Sequence, residues 1–418
     1  MTTTSGQGTR AAAAEPGAGV PRGWTGALAL ANGAIWVGWF GPIQILLALQ
    51  AAQLAPGTGM SKESVLAWVT GIGASVSMVS NPVFGALSDR TGSRFGRRTP
   101  WIVGGVTTGA AALVLLSLAP GIVTMTLGWC LVQLTLNAAF AAITASVPDR
   151  VPRRQRGVVG GWLGAAQILG VVAGTGLATL GGGIVAGYAA CAVFCAVGVL
   201  PFVLRYRDPV LEVRPPFAWG PFVRSFWLNP RTYPDLGWAW LTRFLINLGN
   251  SIALLYLLYY LRDRLHHDDP ETGVLVLTAV NGVTLLATVV VSGAWSDRVG
   301  RRKPFVLWSG VLMAVAAGLL AVWQTWPGAL VAAALLGVGF GVFTSVDFAL
   351  MTDVLPKAAD RGKDLGVINI ANSLPQVAAP ALAAPIVTYA GGYAGLYGIA
   401  AGVGLVGAVL VVRIRGVR

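Results

Sequence analysis

Charge is what this sequence has least of. Lys, Arg, Asp and Glu make up 11% of its 418 residues, against about 25% in an ordinary soluble domain. Acids are scarcer than bases, 16 against 29, and there are two histidines. With 55% hydrophobic residues and a mean hydropathy of +0.70, a water-soluble fold of this length lacks the polar surface to cover itself. The three cysteines, Cys130, Cys191 and Cys195, lie in apolar stretches. They exclude a disulfide framework and read as small buried hydrophobes. Strict apolar–polar alternation is missing as well, which excludes the strands of an outer-membrane barrel. There is no Ser/His/Asp or Cys/His set, no nucleotide-binding glycine pattern and no metal spacing, so neither an enzyme nor a cofactor is expected. Residues 1–23 lack the charged start and short apolar core of a signal peptide. They read as a disordered cytoplasmic tail.

What is present is a series of apolar runs long enough to cross ~30 Å of hydrocarbon as helices. In the first half they fall at 27–54, 63–88, 101–119, 122–147, 157–180 and 183–204. In the second half they fall at 236–261, 272–295, 305–325, 327–355, 365–390 and 392–412. The expectation is an all-α membrane protein of twelve transmembrane helices with the lipid bilayer as its solvent. The one long polar stretch, 205–234, carries five arginines and six prolines. It divides a six-helix bundle over 24–204 from another over 235–418. The net charge of +13 does not point to nucleic acid, because the bases sit in short loops without interleaved aromatics. They set topology instead. With the N-terminus in the cytoplasm, tails and cytoplasmic loops hold 25 of the 29 Lys and Arg, and the outer loops hold Lys62, Arg262 and Arg264. That asymmetry places both termini in the cytoplasm, with the spans in the cell membrane.

The two halves echo each other. Gly85-Ala-Leu-Ser-Asp89-Arg90 matches Gly293-Ala-Trp-Ser-Asp297-Arg298, and Pro148, Gly157 and Gln167 match Pro356, Gly366 and Gln376. Parallel duplication of a six-helix unit is a recurring transporter plan, with the solute held between the halves near the midplane. The first loop continues as Arg94-Phe-Gly96-Arg97-Arg98-Thr-Pro100, the second as Gly300-Arg301-Arg302-Lys303-Pro304. Each sets a carboxylate at a helix C-terminus, where the macrodipole disfavours it unless neighbouring cations hold it.

These loops resemble the signature loop of the major facilitator superfamily. The longer first loop, together with Leu365-Gly366-Val-Ile-Asn369-Ile-Ala-Asn372-Ser-Leu-Pro375-Gln376, resembles the glycoside–pentoside–hexuronide and sucrose-transporter branch. The resemblance implies a cytoplasmic conformational lock made by Asp89, Arg90, Arg94, Arg97 and Arg98 in one loop and Asp297, Arg298, Arg301 and Arg302 in the other.

Charges deep in the spans are few, and a charge at a helix centre costs about 2.5–3.5 kcal/mol on insertion scales. Arg243 and Asp347 lie at matching depths on helices running in opposite senses, roughly 12–14 Å from the cytoplasmic ends at ~1.5 Å per residue. They are expected to pair in a central cavity, with Asp347 the candidate proton carrier. Polar stripes mark the expected solute contacts. They are Asn32, Trp36 and Trp39; Gln133 and Asn137; Trp162 and Gln167; Arg243, Asn247 and Asn250; Asn369, Asn372 and Gln376. Amides and tryptophan faces with cancelling charges suit a neutral polyhydroxylated solute, and the resemblance points to a glycoside. The expected protein is a monomeric proton-coupled symporter. Export of a drug or natural product is the alternative. A non-transporting sensor is a second one, for which an added cytoplasmic module would be expected. His266 and His267, beside Asp268, invite a metal reading; Asp269-Pro270-Glu271 reads better as the start of a helix.

Overall fold

The computed structural model describes residues 19–206, 208, 220, 233–299, 301–354 and 361–415, with side chains except at 153, 297, 348, 349, 352–354 and 361–369. The described residues are helical with no strand. In lipid this follows from the backbone, whose polar groups find no water and must pair within each segment.

The first half contains α1 (Arg22–Gly41), α2 (Leu47–Leu54), α3 (Lys62–Ser88), α4 (Thr99–Ser117), α5 (Ile122–Arg150), α6 (Arg153–Leu180) and α7 (Ile184–Arg205). A π-helical turn at Pro42–Leu46 joins α1 to α2. The second half contains α8 (Pro234–Leu255), α9 (Leu257–Tyr259), α10 (Pro270–Val299), α11 (Lys303–Val322), α12 (Trp326–Val354), α13 (Arg361–Tyr389) and α14 (Gly392–Leu410). Prolines start α4, α8 and α11, where a missing N–H costs nothing. Ser61 caps α3 by accepting from Ser64 N at 3.2 Å, and Asp269 caps α10 by accepting from Thr272 N at 3.1 Å. Hydrogen bonds from the Thr272 side chain and backbone N–H hold the Asp269 carboxyl below its ordinary value.

Among the described residues ten helices are long and apolar enough to cross a membrane, with α1 and α2 counted as one continuous segment, Arg22–Gly57. They become eleven if α8 and the segment Leu257–Arg264, bent by 42° at Tyr256, form one broken span. The run expected at 63–88 is helical as α3 but is not among them, because its serines and glycines, with Asn81 and Pro82, dilute its apolar character. The expected linker lies largely outside the described residues.

Packing follows the sequence repeat. In the first half α1 packs on α6 and α7, α3 on α5, and α4 on α5 and α7. In the second half α8 packs on α13 and α14, α10 on α12, and α11 on α12 and α14. The pairs α3–α13 and α6–α10 join the halves. Small residues permit the close crossings that lipid-embedded helices rely on: a Cβ on Gly170 of α6 would lie 2.5 Å from the Gly33 carbonyl oxygen of α1.

Hydrogen bonds between the halves cluster at the end opposite the signature loops. Lys62 reaches Asp263 across the halves at 2.5 Å, and Tyr393, in the same half as Asp263, donates to that carboxylate at 2.7 Å and lies 3.4 Å from Glu63 Oε1 of the first half. Tyr256 donates to Glu63 O at 2.9 Å and Tyr259 to Ala48 O at 2.7 Å. Lys62 also lies over the Tyr259 ring, 4.9 Å from its centroid.

Candidate solute site

A cavity of about 320 Å³ lies between the halves, walled by α1, α3, α5 and α6 on one side and α8, α10, α11, α12 and α13 on the other. That falls at the small end of the ~300–1,000 Å³ common for ligand pockets. Its polar wall is a belt of carboxamides: Gln133 and Gln167 from the first half, Asn247, Asn250, Asn281, Asn372 and Gln376 from the second. Trp36 stands in the same wall. Among the described residues no charged side chain lines the cavity.

The expected contacts therefore divide. Trp36, Gln133, Gln167, Asn247, Asn250, Asn372 and Gln376 reach the cavity. Asn32 does not, because its amide is spent on the Leu163 carbonyl at 3.0 Å, tying α1 to α6. Asn137 is buried against Ser77 and Gln133. Trp39 is turned into an aromatic cluster with Trp36 and Phe140, at ring distances of 5.6 and 5.4 Å. Trp162 is 58% exposed on the outside of α6. The side chain of Asn369 lies outside the described residues. Sequence reading missed Gln44, Thr70, Trp129, Ser251, Thr278 and Asn281. Asn281, a lone amide in an apolar run, carried the same signal as the others.

Arg243 and Asp347 are brought together but stand behind the cavity wall rather than in it. The guanidinium donates through one terminal nitrogen to Asp347 Oδ2 and through Nε to Asn372 Oδ1 at 2.8 Å. The two charged side chains are 11% and 3% exposed. Asp347 Oδ1 is buried with no hydrogen-bond partner. Asn372 alone of this trio faces the cavity. A buried pair of this kind is costly to break by removing one partner, about 3–5 kcal/mol.

At the loop end, Arg98 is the hub. It is 3% exposed and donates to Ser88 Oγ at 2.5 Å, Asp89 Oδ1 at 2.5 Å and Asp149 Oδ2 at 3.0 Å. Arg97 pairs with Asp149 too. Asp149, at the end of α5, was not among the expected lock residues. Asp208, just past α7, accepts from the backbone N–H of Arg98 and of Thr99. Gly96 has φ +93° and leaves no room for a Cβ beside Asp208, so a side chain there would be strained and would displace the cap. Arg90 bonds the Ala86 carbonyl at 2.5 Å, and Arg94 lies over the Phe95 ring at 4.8 Å. Neither joins the Arg98 bonds named above. In the second loop Arg298 is exposed and the side chain of Asp297 lies outside the described residues, so Arg301 and Arg302 cannot be matched to the first loop's carboxylate.

His267 packs at a tilt against Trp326, ring centroids 4.5 Å apart, and accepts from Asp269 N at 3.2 Å. Both contacts order the turn before α10.

The family model described as Major Facilitator Superfamily matches residues 28–287 and 239–418. The chain belongs to this superfamily, and is a multi-pass membrane transporter. No curated protein matches it. Among solved structures it is similar to the crystal structure of peptide transporter POT in complex with sulfate, with a TM-score of 0.72, 14% identity and 94% of each chain covered. A point mutant of POT with sulfate gives 0.74, 15% and 94% of each chain. The mutant with alafosfalin gives 0.73, 16%, and 96% of this chain against 97% of that one. At these identities the likeness speaks for the fold alone.

Proposed function

We propose that the protein is a proton-coupled symporter of a neutral glycoside or similar polyhydroxylated solute, working by alternating access in the cell membrane. In this reading twelve helices span the bilayer as two six-helix bundles, both termini are cytoplasmic, and one chain suffices. The observation that carries it is the amide belt: a cavity shared by both halves, rich in paired donors and acceptors, and free of charge among the described residues. Such a wall rewards hydroxyl groups and leaves an ionised solute without a counter-charge. A peptide, the solute class named for the similar structures, would bring charged termini that this wall does not answer.

The opposite-end contacts from Lys62, Glu63 and the three tyrosines seal the outer side in this reading, and the solute reaches the belt from the cytoplasm. The loop built on Arg98 acts as the cytoplasmic lock of the other state. Coupling runs through Asn372. A solute that takes the Asn372 carboxamide withdraws one acceptor from Arg243 and loosens its hold on Asp347. A buried carboxylate without its counter-charge then takes a proton.

Export of an amphipathic natural product is the second reading, favoured by the apolar residues that make up most of the cavity wall. Uptake of a glycoside panel into proteoliposomes, with and without an inward proton gradient, separates the two. Gradient-driven accumulation supports symport. Silence across the panel with efflux of amphipathic compounds supports export.

A further inference from the structure

On its second-half side the cavity wall has two chemically distinct ends. On α8 the amides Asn247 and Asn250 come first, and Leu254, then Leu257 of α9 past the break, follow one to two turns later, toward the sealed end. On α10, which runs the other way, Leu277 precedes Asn281 by a turn. On α12, parallel to α10, Ala332 and Leu336 precede Phe340. Leu320 closes the floor from the far end of α11. These registers agree: the amide belt lies toward the signature loops, and an apolar recess within the second half lies beyond it. The recess forms where α8 breaks at Tyr256, with φ −111° and ψ 22°, so that the chain bends away.

The recess offers a hydroxyl almost nothing. Asn281, at its mouth, donates to the Ala333 carbonyl at 3.3 Å, and Thr278 marks its edge. Leu254, Leu257, Leu277, Leu320, Ala332 and Leu336 wall it and carry no polar side-chain atom. A sugar ring pushed past the belt would leave its hydroxyls unbonded, which water does not. An apolar group gains there, because apolar cavities stay dry and take apolar guests. The belt asks for the opposite chemistry, and Trp36 beside it presents a buried indole N–H with no partner.

We infer that the solute is amphipathic: a glycoside whose sugar sits in the amide belt and whose apolar aglycone fills the recess lined by Leu254, Leu257, Leu277, Leu320, Ala332 and Leu336. This deepens the glycoside reading and rests on it. The aglycone then supplies affinity, at about fourfold per methylene buried, and the sugar supplies orientation. It also places solute against the sealed end, where an emptied recess would otherwise have to close.

The test is calorimetric binding to the purified full-length protein. The probes are glucose, galactose and xylose, the phenyl β-glycoside of each, and benzyl alcohol as a sugar-free aromatic. Phenyl glycosides binding at least tenfold tighter than their free sugars, with benzyl alcohol far weaker, is the expected result. Ala332→Phe should erase that advantage while leaving free-sugar binding within twofold of wild type, and Ala332→Leu, a smaller filling, should erase part of it. Free sugars that bind as well as their phenyl glycosides would overturn the recess assignment and leave the glycoside reading standing. Benzyl alcohol binding as well as the phenyl glycosides, or no probe binding at all, would overturn both. An aglycone advantage that survives both fillings would also refute the assignment.

Discussion

The ammonium of Lys62 lies 2.5 Å from the carboxylate of Asp263, across 201 residues of sequence. One residue opens α3 in the first half and the other follows the break in α8 in the second. Both are about a quarter exposed, so the pair is worth on the order of 1 kcal/mol rather than a buried pair's several. Lys62→Ala should therefore shift the balance between open and closed outer ends about fivefold toward open. A single cysteine at Gln376 in a cysteine-free background, labelled from outside by an impermeant thiol reagent, reads that shift as a faster rate. An unchanged rate would show that the pair does not hold the end closed.

Arg98 and Arg97 both meet Asp149, but in different surroundings. Arg98 is 3% exposed and Arg97 22%. Removing Arg98 takes a donor from Asp149 and leaves the buried Ser88 hydroxyl with the Gly85 carbonyl as its remaining named partner, a loss of about 3–5 kcal/mol for a buried pair. Arg97→Ala should cost about 1 kcal/mol. Thermal unfolding in detergent should rank Arg98→Ala well below Arg97→Ala, and equal losses would contradict the hub.

Two glycines of α6 should respond in opposite ways to one methyl group. At Gly170 a Cβ meets backbone of α1 and cannot be accommodated by a side-chain rotation. Gly170→Ala should destabilise by about 1–3 kcal/mol. At Gly164 nothing lies within 4 Å of a Cβ, and Gly164→Ala should be neutral or stabilise by about 0.5–1 kcal/mol through helix propensity. The same melting experiment checks both.

Asp269 gives the turn before α10 a pH dependence of known sign. Its folded carboxyl titrates below the ordinary value because Thr272 donates to the ionised form. The cap's contribution is thus fully present above the unfolded carboxylate pKa of about 3.9. It is lost as pH falls through the lower folded value. Amide exchange at Thr272 should quicken in that window in the wild type, and Asp269→Ala should show the fast rate at every pH.

Much of this was legible in the sequence because lipid leaves few alternatives. Runs of apolar residues between basic loops have to be helices, and their length alone places Arg243 and Asp347 at one depth. The repeat extends further than the loop motif. Gly182 and Gly183 turn α6 into α7 with φ of +74° and +143°, and Gly391 and Gly392 turn α13 into α14 with +88° and +62°. What the sequence could not carry was direction around each helix. Asn32 and Asn372 look alike on a helical wheel, yet one amide is spent on a neighbouring helix and the other opens on the cavity. Helix rotation set by crossings such as Gly33 on Gly170 decides between them. Asp149 and Asp208 escaped for a related reason. A carboxylate near a helix end reads as solvated until the fold brings Arg98 to it.

In the proposed coupling, Asn372 and Arg243 pass solute binding to Asp347. Solute accumulation driven by an inward proton gradient, compared with solute exchange at equal pH on both sides, tests it in proteoliposomes holding wild type or Asp347→Asn. Asp347→Asn should keep exchange and lose accumulation, because binding survives while the proton site does not. Full gradient-driven accumulation by Asp347→Asn would contradict it.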